Sequence, residues 1–103
     1  SRDYTYIDDI VDGIIKCLFS DKIEHFVYNL GNSNPITLND FIETCEKVCN
    51  KKANIHEKEM PLGDVPHTYA NISRAKNDFN YNPKTSLHEG LKKMYEWMAE
   101  EGL

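Results

Sequence analysis

Two short segments of the chain carry residues that could bind a charged ligand rich in hydroxyl groups. In the first, Arg2 precedes a run of β-forming residues, Tyr4 to Ile7, and the acidic pair Asp8-Asp9 follows. A guanidinium can hold a diphosphate through two parallel hydrogen bonds and keeps its charge at physiological pH. The alternative is a surface ion pair between Arg2 and a nearby carboxylate. The first segment therefore predicts either an anion contact or a surface ion pair.

The second segment, residues 63 to 70, places a carboxylate on a loop rich in turn formers. Asp64 stands between Gly63 and the Val65-Pro66 pair. Such a carboxylate can accept hydrogen bonds from ribose or sugar hydroxyls while the backbone stays close to the ligand. An ordinary Asx-type turn is the alternative interpretation.

Residues needed for other kinds of chemistry do not occur in the required patterns. The five glycines form no glycine-rich phosphate turn, and none of the six tyrosines has a lysine four positions later. The four histidines stand apart from any nucleophile motif, and Cys45 and Cys49 lack further ligands at zinc-site spacing. Together with Cys17, these cysteines are interpreted as small core residues. We predict no catalytic, cofactor-binding or metal-binding residue in the chain.

Alternating short strands and helices must position the two segments. Hydrophobic periodicity predicts strands over 4–7, 25–30 and 53–57, and helices over 9–19, from 38 to about 49, over 72–79, and from 87 to a stop at Gly102. Expected helix caps are Asp8-Asp9, Thr37, Asn71 and Ser86. The apolar face of each helix is expected to be buried. The fold class is therefore α/β, a small mixed α+β domain covering residues 1–103.

Composition excludes several classes of partner. The chain has 12 basic and 17 acidic residues, a formal net charge of −5, and its basic residues are scattered. Nucleic acid is therefore not an expected partner. Because no apolar run reaches the ~18 residues of a membrane helix and the opening is polar, we expect no membrane contact and a cytoplasmic location.

Four motifs in order resemble one family. They are residues 2–14, Tyr28-Asn29-Leu30-Gly31, residues 63–70 and Tyr81-Asn82-Pro83-Lys84-Thr85. They resemble the C-terminal third of extended short-chain dehydrogenase-like sugar-nucleotide epimerases and dehydratases. Within that family the 63–70 run and the start of the last helix, residues 87–91, are most similar to the UDP-glucuronate 4-epimerases.

The resemblance implies a set of substrate-binding residues. Arg2 would contact the nucleotide diphosphate, Tyr4 would lie beside the substrate, and Asp64 would bind the ribose hydroxyls of the uridine. Ile36 would line the uridine site. Many relatives carry arginine or glutamine where this chain has Pro61, which implies weaker nucleotide binding or a replacement contact from Lys58.

The resemblance also implies what surrounds the chain. NAD would be bound by an N-terminal Rossmann domain that these residues lack, and the parent enzyme would be a homodimer that acts on a UDP-sugar. The fragment alone would be inactive, and one of its flanks would be exposed and unusually apolar. Three alternatives remain: part of a nucleotide-sugar 4,6-dehydratase, a stand-alone binding or interaction module, and an unrelated α/β domain in which Arg2 and Asp64 would lie far apart.

Overall fold

Four helices form the regular structure of the computed structural model, which describes all residues, 1–103. They are α1 (Ile7–Leu18), α2 (Leu38–Cys49), α3 (Ser73–Phe79) and α4 (Leu87–Glu100). Helix α2 packs against α4, and α1 packs against α3. The molecule is flat, with extents of 48 × 36 × 18 Å and a radius of gyration of 16.3 Å. A compact chain of this length has a radius near 13 Å, so a large share of its residues lies at a surface.

Local sequence signals fix most helix ends. The Thr37 hydroxyl accepts a hydrogen bond from the Asp40 amide at 3.1 Å, and the Ser86 hydroxyl accepts one from the Glu89 amide at 3.1 Å. Both predicted N-caps are therefore confirmed. After α4, Gly102 has a φ of +74° and its amide donates to the Ala99 carbonyl, which confirms the predicted stop.

The starts of α1 and α3 differ from the predictions. Helix α1 begins at Ile7 after Tyr6, with no side-chain cap, so the predicted capping by Asp8-Asp9 is wrong. Asp9 is instead buried and accepts a hydrogen bond from the Thr85 amide at 2.9 Å, because that buried donor needs an acceptor. Helix α3 begins at Ser73 with Ile72 in the N-cap position and no side-chain cap, so the predicted start at Ile72 with Asn71 as the cap is one residue too early, although the Ser73 amide donates to the Asn71 side chain at 3.1 Å.

None of the three predicted strands forms. The single β-bridge pairs Arg2 with Ile36, through hydrogen bonds of 2.9 Å from the Arg2 amide and 2.7 Å from the Ile36 amide. Residues 25–30 and 53–57 have strand-forming composition but make no backbone–backbone hydrogen bonds to another segment, so no ladder forms. A strand is stable only when another strand pairs with it, which explains the difference.

The core lies around α3 and does not include the apolar face of α1. It consists of four buried residues: Ile72, Ala75, Phe79 and Tyr81. The predicted burial of the α1 stripe is wrong for this chain, since Ile14 is 53% and Leu18 72% exposed. The same prediction is wrong for α2 and α4, neither of which has a fully buried residue. We call this stripe the α1 face; it comprises Ile7, Val11, Ile14, Ile15 and Leu18.

The α1 face is an exposed apolar surface, of the kind that the resemblance implies for one flank of the chain. The inner side of α1 instead carries the buried residues Asp9 and Gly13. A Cβ atom on Gly13 would lie 2.7 Å from the Tyr81 ring, so only glycine permits this approach of α1 to the core. The three cysteines are half-buried and free, and only Cys17 packs against the core, so the interpretation of Cys45 and Cys49 as core residues is wrong. None of the four helices combines the length and apolar character needed to cross a membrane.

Candidate functional site

Arg2 and Asp64, 62 positions apart in sequence, form an ion pair. Nη2 of Arg2 lies 2.9 Å from Oδ1 of Asp64, and Nη1 donates to the Ser1 carbonyl at 3.0 Å. Oδ1 also accepts a hydrogen bond from the Val65 amide at 2.9 Å. The predicted ion pair therefore exists and joins the two residues expected to bind the ligand. The predicted Asx-type turn is absent, because its hydrogen bond would need the N–H of residue 66, which is a proline, and Asp64 accepts from the adjacent Val65 amide instead.

The ion pair is accessible, and both partners keep free hydrogen-bonding capacity. The side chains of Arg2 and Asp64 are 33% and 43% exposed. Oδ2 of Asp64 has no protein partner, and only two of the five guanidinium N–H donors of Arg2 are used if each contact takes one. The pair thus fixes two side chains beside each other while leaving an acceptor and several cationic donors open to solvent.

Ile36 lies directly beside Arg2 because the two residues form the β-bridge. The Thr68 amide donates to the Ser1 carbonyl at 3.0 Å on the other side of the same backbone segment. Three of the four predicted binding residues therefore meet at one place, where the segments around residues 2, 36 and 64–68 run together. The proximity of Arg2 and Asp64 contradicts the hypothesis of an unrelated domain that separates them.

Tyr4 lies in a neighbouring apolar cleft. Its ring stacks on Phe41 of α2, with 4.7 Å between centroids and 17° between planes. The cleft has a volume of about 510 Å³ and is formed by residues 4–7, Phe41 and the first three turns of α4, including Leu87, Leu91, Met94 and Trp97. Tyr4 follows Arg2 by two residues, so the ion pair and the cleft share one short segment of backbone.

The sequence interpretation missed Asp3, which holds this region together. Its Oδ2 atom accepts hydrogen bonds from the Ser33 amide at 2.9 Å and the Ala70 amide at 3.0 Å, and Oδ1 accepts one from the Asn34 amide at 3.4 Å. The Asp3 amide donates to the Thr68 hydroxyl at 2.9 Å. Asp3 stands between Arg2 and the β-forming run that starts at Tyr4, and no local pattern at that position indicates contacts with residues 33, 34 and 70.

A close backbone approach supports the same region. A Cβ atom on Gly31 would lie 2.4 Å from the Ala70 Cβ and 3.2 Å from Oδ2 of Asp3. The Gly31 carbonyl accepts a 2.7 Å hydrogen bond from the buried Tyr81 hydroxyl. Burial, followed by the negative charge of Asp9, raises the pKa of Tyr81, so this phenol stays protonated and donating.

A second polar cluster lies outside the candidate site. The Tyr28 hydroxyl donates to Oδ2 of the buried Asp78 at 2.6 Å, and Nε2 of His25 is 3.8 Å from the same oxygen. Burial, and then the hydrogen bond to Asp78, raises the pKa of Tyr28. This cluster joins the segment before residue 31 to α3, so its role is in packing.

Comparison with known proteins identifies the class. The sequence model of the GDP-mannose 4,6 dehydratase family matches residues 1–94, and the chain belongs to this family. The fold is that of the C-terminal subdomain of extended short-chain dehydrogenase-like epimerases and dehydratases, which confirms the predicted fold class and resemblance.

Similar proteins include named epimerases. The chain is 42% identical to UDP-glucuronate 4-epimerase 1 of Arabidopsis thaliana over 110 residues, covering 94% of this chain and 26% of that protein. It is 41% identical to UDP-glucuronate 4-epimerase of Thermodesulfobacterium geofontis, covering 97% and 31%. A Bacillus cereus UDP-glucuronic acid 4-epimerase structure with UDP-glucuronic acid and NAD has a TM-score of 0.88 and 31% identity, covering 96% and 32%. The chain thus spans about a third or less of these relatives.

Proposed function

We propose that this chain is the UDP-sugar-binding part of an NAD-dependent nucleotide-sugar epimerase, a UDP-glucuronate 4-epimerase. The observation that carries the proposal is the meeting of Arg2, Ile36 and Asp64, which come from three separate segments. The relatives named as UDP-glucuronate 4-epimerases, and the similar structure with bound UDP-glucuronic acid, support the identity of the ligand.

Arg2 supplies the charge that binds the diphosphate. The ion pair with Asp64 is partly exposed, and such pairs contribute only about 0–1 kcal/mol. A diphosphate offers the guanidinium more oxygen atoms and more negative charge than one carboxylate, and paired N–H to phosphate bonds are among the stronger hydrogen bonds. The guanidinium N–H groups that the ion pair leaves unused therefore bind the phosphate, while Arg2 stays beside Asp64.

Asp64 and Ile36 contact the nucleoside in this proposal. Oδ2 of Asp64, which has no protein partner, accepts a hydrogen bond from a ribose hydroxyl. Ile36 provides an apolar surface for the uracil ring, and its side chain is placed by the bridge to Arg2. Tyr4 contacts the sugar end of the substrate from the edge of the apolar cleft.

The remainder of the parent enzyme supplies the cofactor and the chemistry. NAD exchanges hydride with the sugar when bound, and the five glycines of this chain form no turn that could hold its phosphates. A Rossmann domain elsewhere in the parent therefore binds NAD, and the α1 face packs against that domain. The role of this chain is to bind and orient the UDP-sugar, so the chain alone is not catalytic.

We also propose that residues 1–103 act as one domain and that the parent is a homodimer. The free thiols of three half-buried cysteines support a reducing compartment, and the cytoplasm is the compartment proposed.

The family match favours one other function, a nucleotide-sugar 4,6-dehydratase. The two reactions are separated by incubating the parent protein with UDP-glucuronate and UDP-glucose and following the products by NMR. An epimerase converts UDP-glucuronate into its C4 epimer. A 4,6-dehydratase needs a hydroxyl at C6 as leaving group, which glucuronate lacks, and would instead convert UDP-glucose into a 4-keto-6-deoxy product. Formation of that product alone would contradict the epimerase proposal.

A further inference from the structure

Three backbone segments that carry the candidate binding residues converge on a single carboxylate. Asp3 follows Arg2 directly, and its carboxylate oxygens accept hydrogen bonds from the amides of Ser33, Asn34 and Ala70. The Asp3 amide donates to the Thr68 hydroxyl. We propose that Asp3 is a positioning residue of the nucleotide site, which it shapes without contacting the ligand. This inference rests on the function proposed above.

The contacts of Asp3 require a carboxylate. Both oxygens of Asp3 accept hydrogen bonds from backbone amides, and no donor is needed on either side. Asparagine has the same shape but carries one NH2 group, which would face an N–H group wherever it is placed. Loss of the charge also weakens the remaining bonds, because hydrogen bonds to an ionised acceptor are roughly twice as strong as neutral ones.

The amides that Asp3 binds belong to segments that would otherwise relax. Ser33 has a φ of +56°, a left-handed conformation that is uncommon for a residue other than glycine. The hydrogen bond from the Ser33 amide to the Asp3 carboxylate helps to hold this conformation, three residues before Ile36. Ala70 anchors the other end of the 63–70 segment, on which Asp64 lies. Without Asp3, Ile36 and Asp64 lose their fixed places beside Arg2.

The experiment compares UDP binding by the 103-residue chain with that of Asp3→Asn and Asp3→Glu, using calorimetry at low temperature and low salt. Hydrogen exchange of the Ser33 and Ala70 amides, followed by NMR, reports directly on their hydrogen bonds to Asp3, which we call the Asp3 junction. Asp78→Asn is the matched control, because it removes a buried carboxylate whose partner Tyr28 lies outside the three segments. Circular dichroism verifies the helices of each variant.

We expect Asp3→Asn to speed exchange at Ser33 and Ala70 and to weaken UDP binding by at least about tenfold. Supporting partners of ligand-binding groups are worth about 10- to 100-fold in metal sites, which sets the scale. Asp3→Glu keeps the charge and should recover part of the affinity. Asp78→Asn should lower the melting temperature while leaving UDP affinity below that temperature unchanged.

The outcomes separate this inference from the function on which it rests. If the unsubstituted chain binds UDP and Asp3→Asn binds it equally well, Asp3 is not a positioning residue. The same conclusion follows if Asp3→Asn and Asp78→Asn weaken binding only in proportion to lost stability, since that is a general structural effect. Failure of the unsubstituted chain to bind UDP would instead overturn the proposed nucleotide site itself, whereas faster exchange at Ser33 and Ala70 in Asp3→Asn would still support the Asp3 junction.

Discussion

The side chains of Arg2 and Asp64 meet at 2.9 Å although 62 positions separate them in sequence. Each of the two residues was selected from its own motif, one for binding a diphosphate and one for binding hydroxyl groups. In the structure each holds the other in place, while Oδ2 of Asp64 and further donors of Arg2 remain open. The ion pair thus preorganises a site that can bind both the phosphate and the sugar part of one ligand.

The approach of Gly31 to Ala70 predicts a double-mutant effect. Gly31→Ala introduces a Cβ atom 2.4 Å from the Ala70 Cβ, so it should destabilise the fold by about 1–3 kcal/mol, as overpacking does. Ala70→Gly removes the clashing atom, and the double variant should recover part of the loss. Urea unfolding of the four proteins measures the coupling. If the effects of the two substitutions on the free energy of unfolding are strictly additive, the Ala70 Cβ atom is not what excludes a side chain at position 31.

The Tyr28 hydrogen bond predicts a change of stability at alkaline pH. Burial, and then the bond to Asp78, raises the pKa of Tyr28 above its ordinary value of 10.0. A raised pKa in the folded state means that the neutral phenol stabilises the fold. This contribution is complete below the unfolded pKa near 10 and is lost as pH rises through the folded pKa.

Tyr28→Phe tests this prediction. The variant should be less stable than the unsubstituted chain at pH 8, because the buried Asp78 loses its hydrogen-bond donor. As the pH rises from 8 to above 10, the stability of Tyr28→Phe should fall less than that of the unsubstituted chain. Tyr95→Phe, at an exposed tyrosine of α4, is the control and should follow the unsubstituted chain. Urea unfolding across this pH range provides the data, and equal losses in all three proteins would refute the assignment.

The α1 face predicts self-association of the chain. Ile14→Lys places a charge in the centre of this face, where Ile14 is 53% exposed, so it should reduce association in sedimentation velocity and cost less than about 0.5 kcal/mol of stability. Ile72→Lys is the matched comparison. Ile72 is 4% exposed in the core, and a buried unpaired charge there should unfold the chain. If Ile14→Lys associates as much as the unsubstituted chain, the α1 face is not the surface that mediates self-association.

Local signals in the sequence were sufficient for most helix ends. Thr37 and Ser86 bind amides only three residues away, so the capping pattern contains all the necessary information. Gly102 likewise ends α4 through a contact with Ala99 in the last turn. The same locality explains why helix positions were predicted to within two residues.

Contacts between distant residues were not predictable in this way. Asp9 was assigned to a helix cap, but it serves the Thr85 amide 76 positions away. The strand-forming run 25–30 and the α1 face needed partners that no local pattern reveals, and neither has one within this chain. Residue chemistry selected Arg2 and Asp64, and the resemblance added Ile36. The Asp3 carboxylate accepts only from backbone amides of distant segments, for which the sequence around it holds no pattern.

A UDP titration tests the central claim most directly. The 103-residue chain, Arg2→Ala and Asp64→Ala are compared by calorimetry at low salt, with uridine as a second ligand that lacks phosphate. The nucleotide site predicts saturable UDP binding that both substitutions weaken by about tenfold or more, as loss of a charged hydrogen bond of ~1.5–3 kcal/mol implies. Uridine binding should depend on Asp64 and much less on Arg2. No UDP binding at millimolar concentration, or binding that survives both substitutions, would contradict the account.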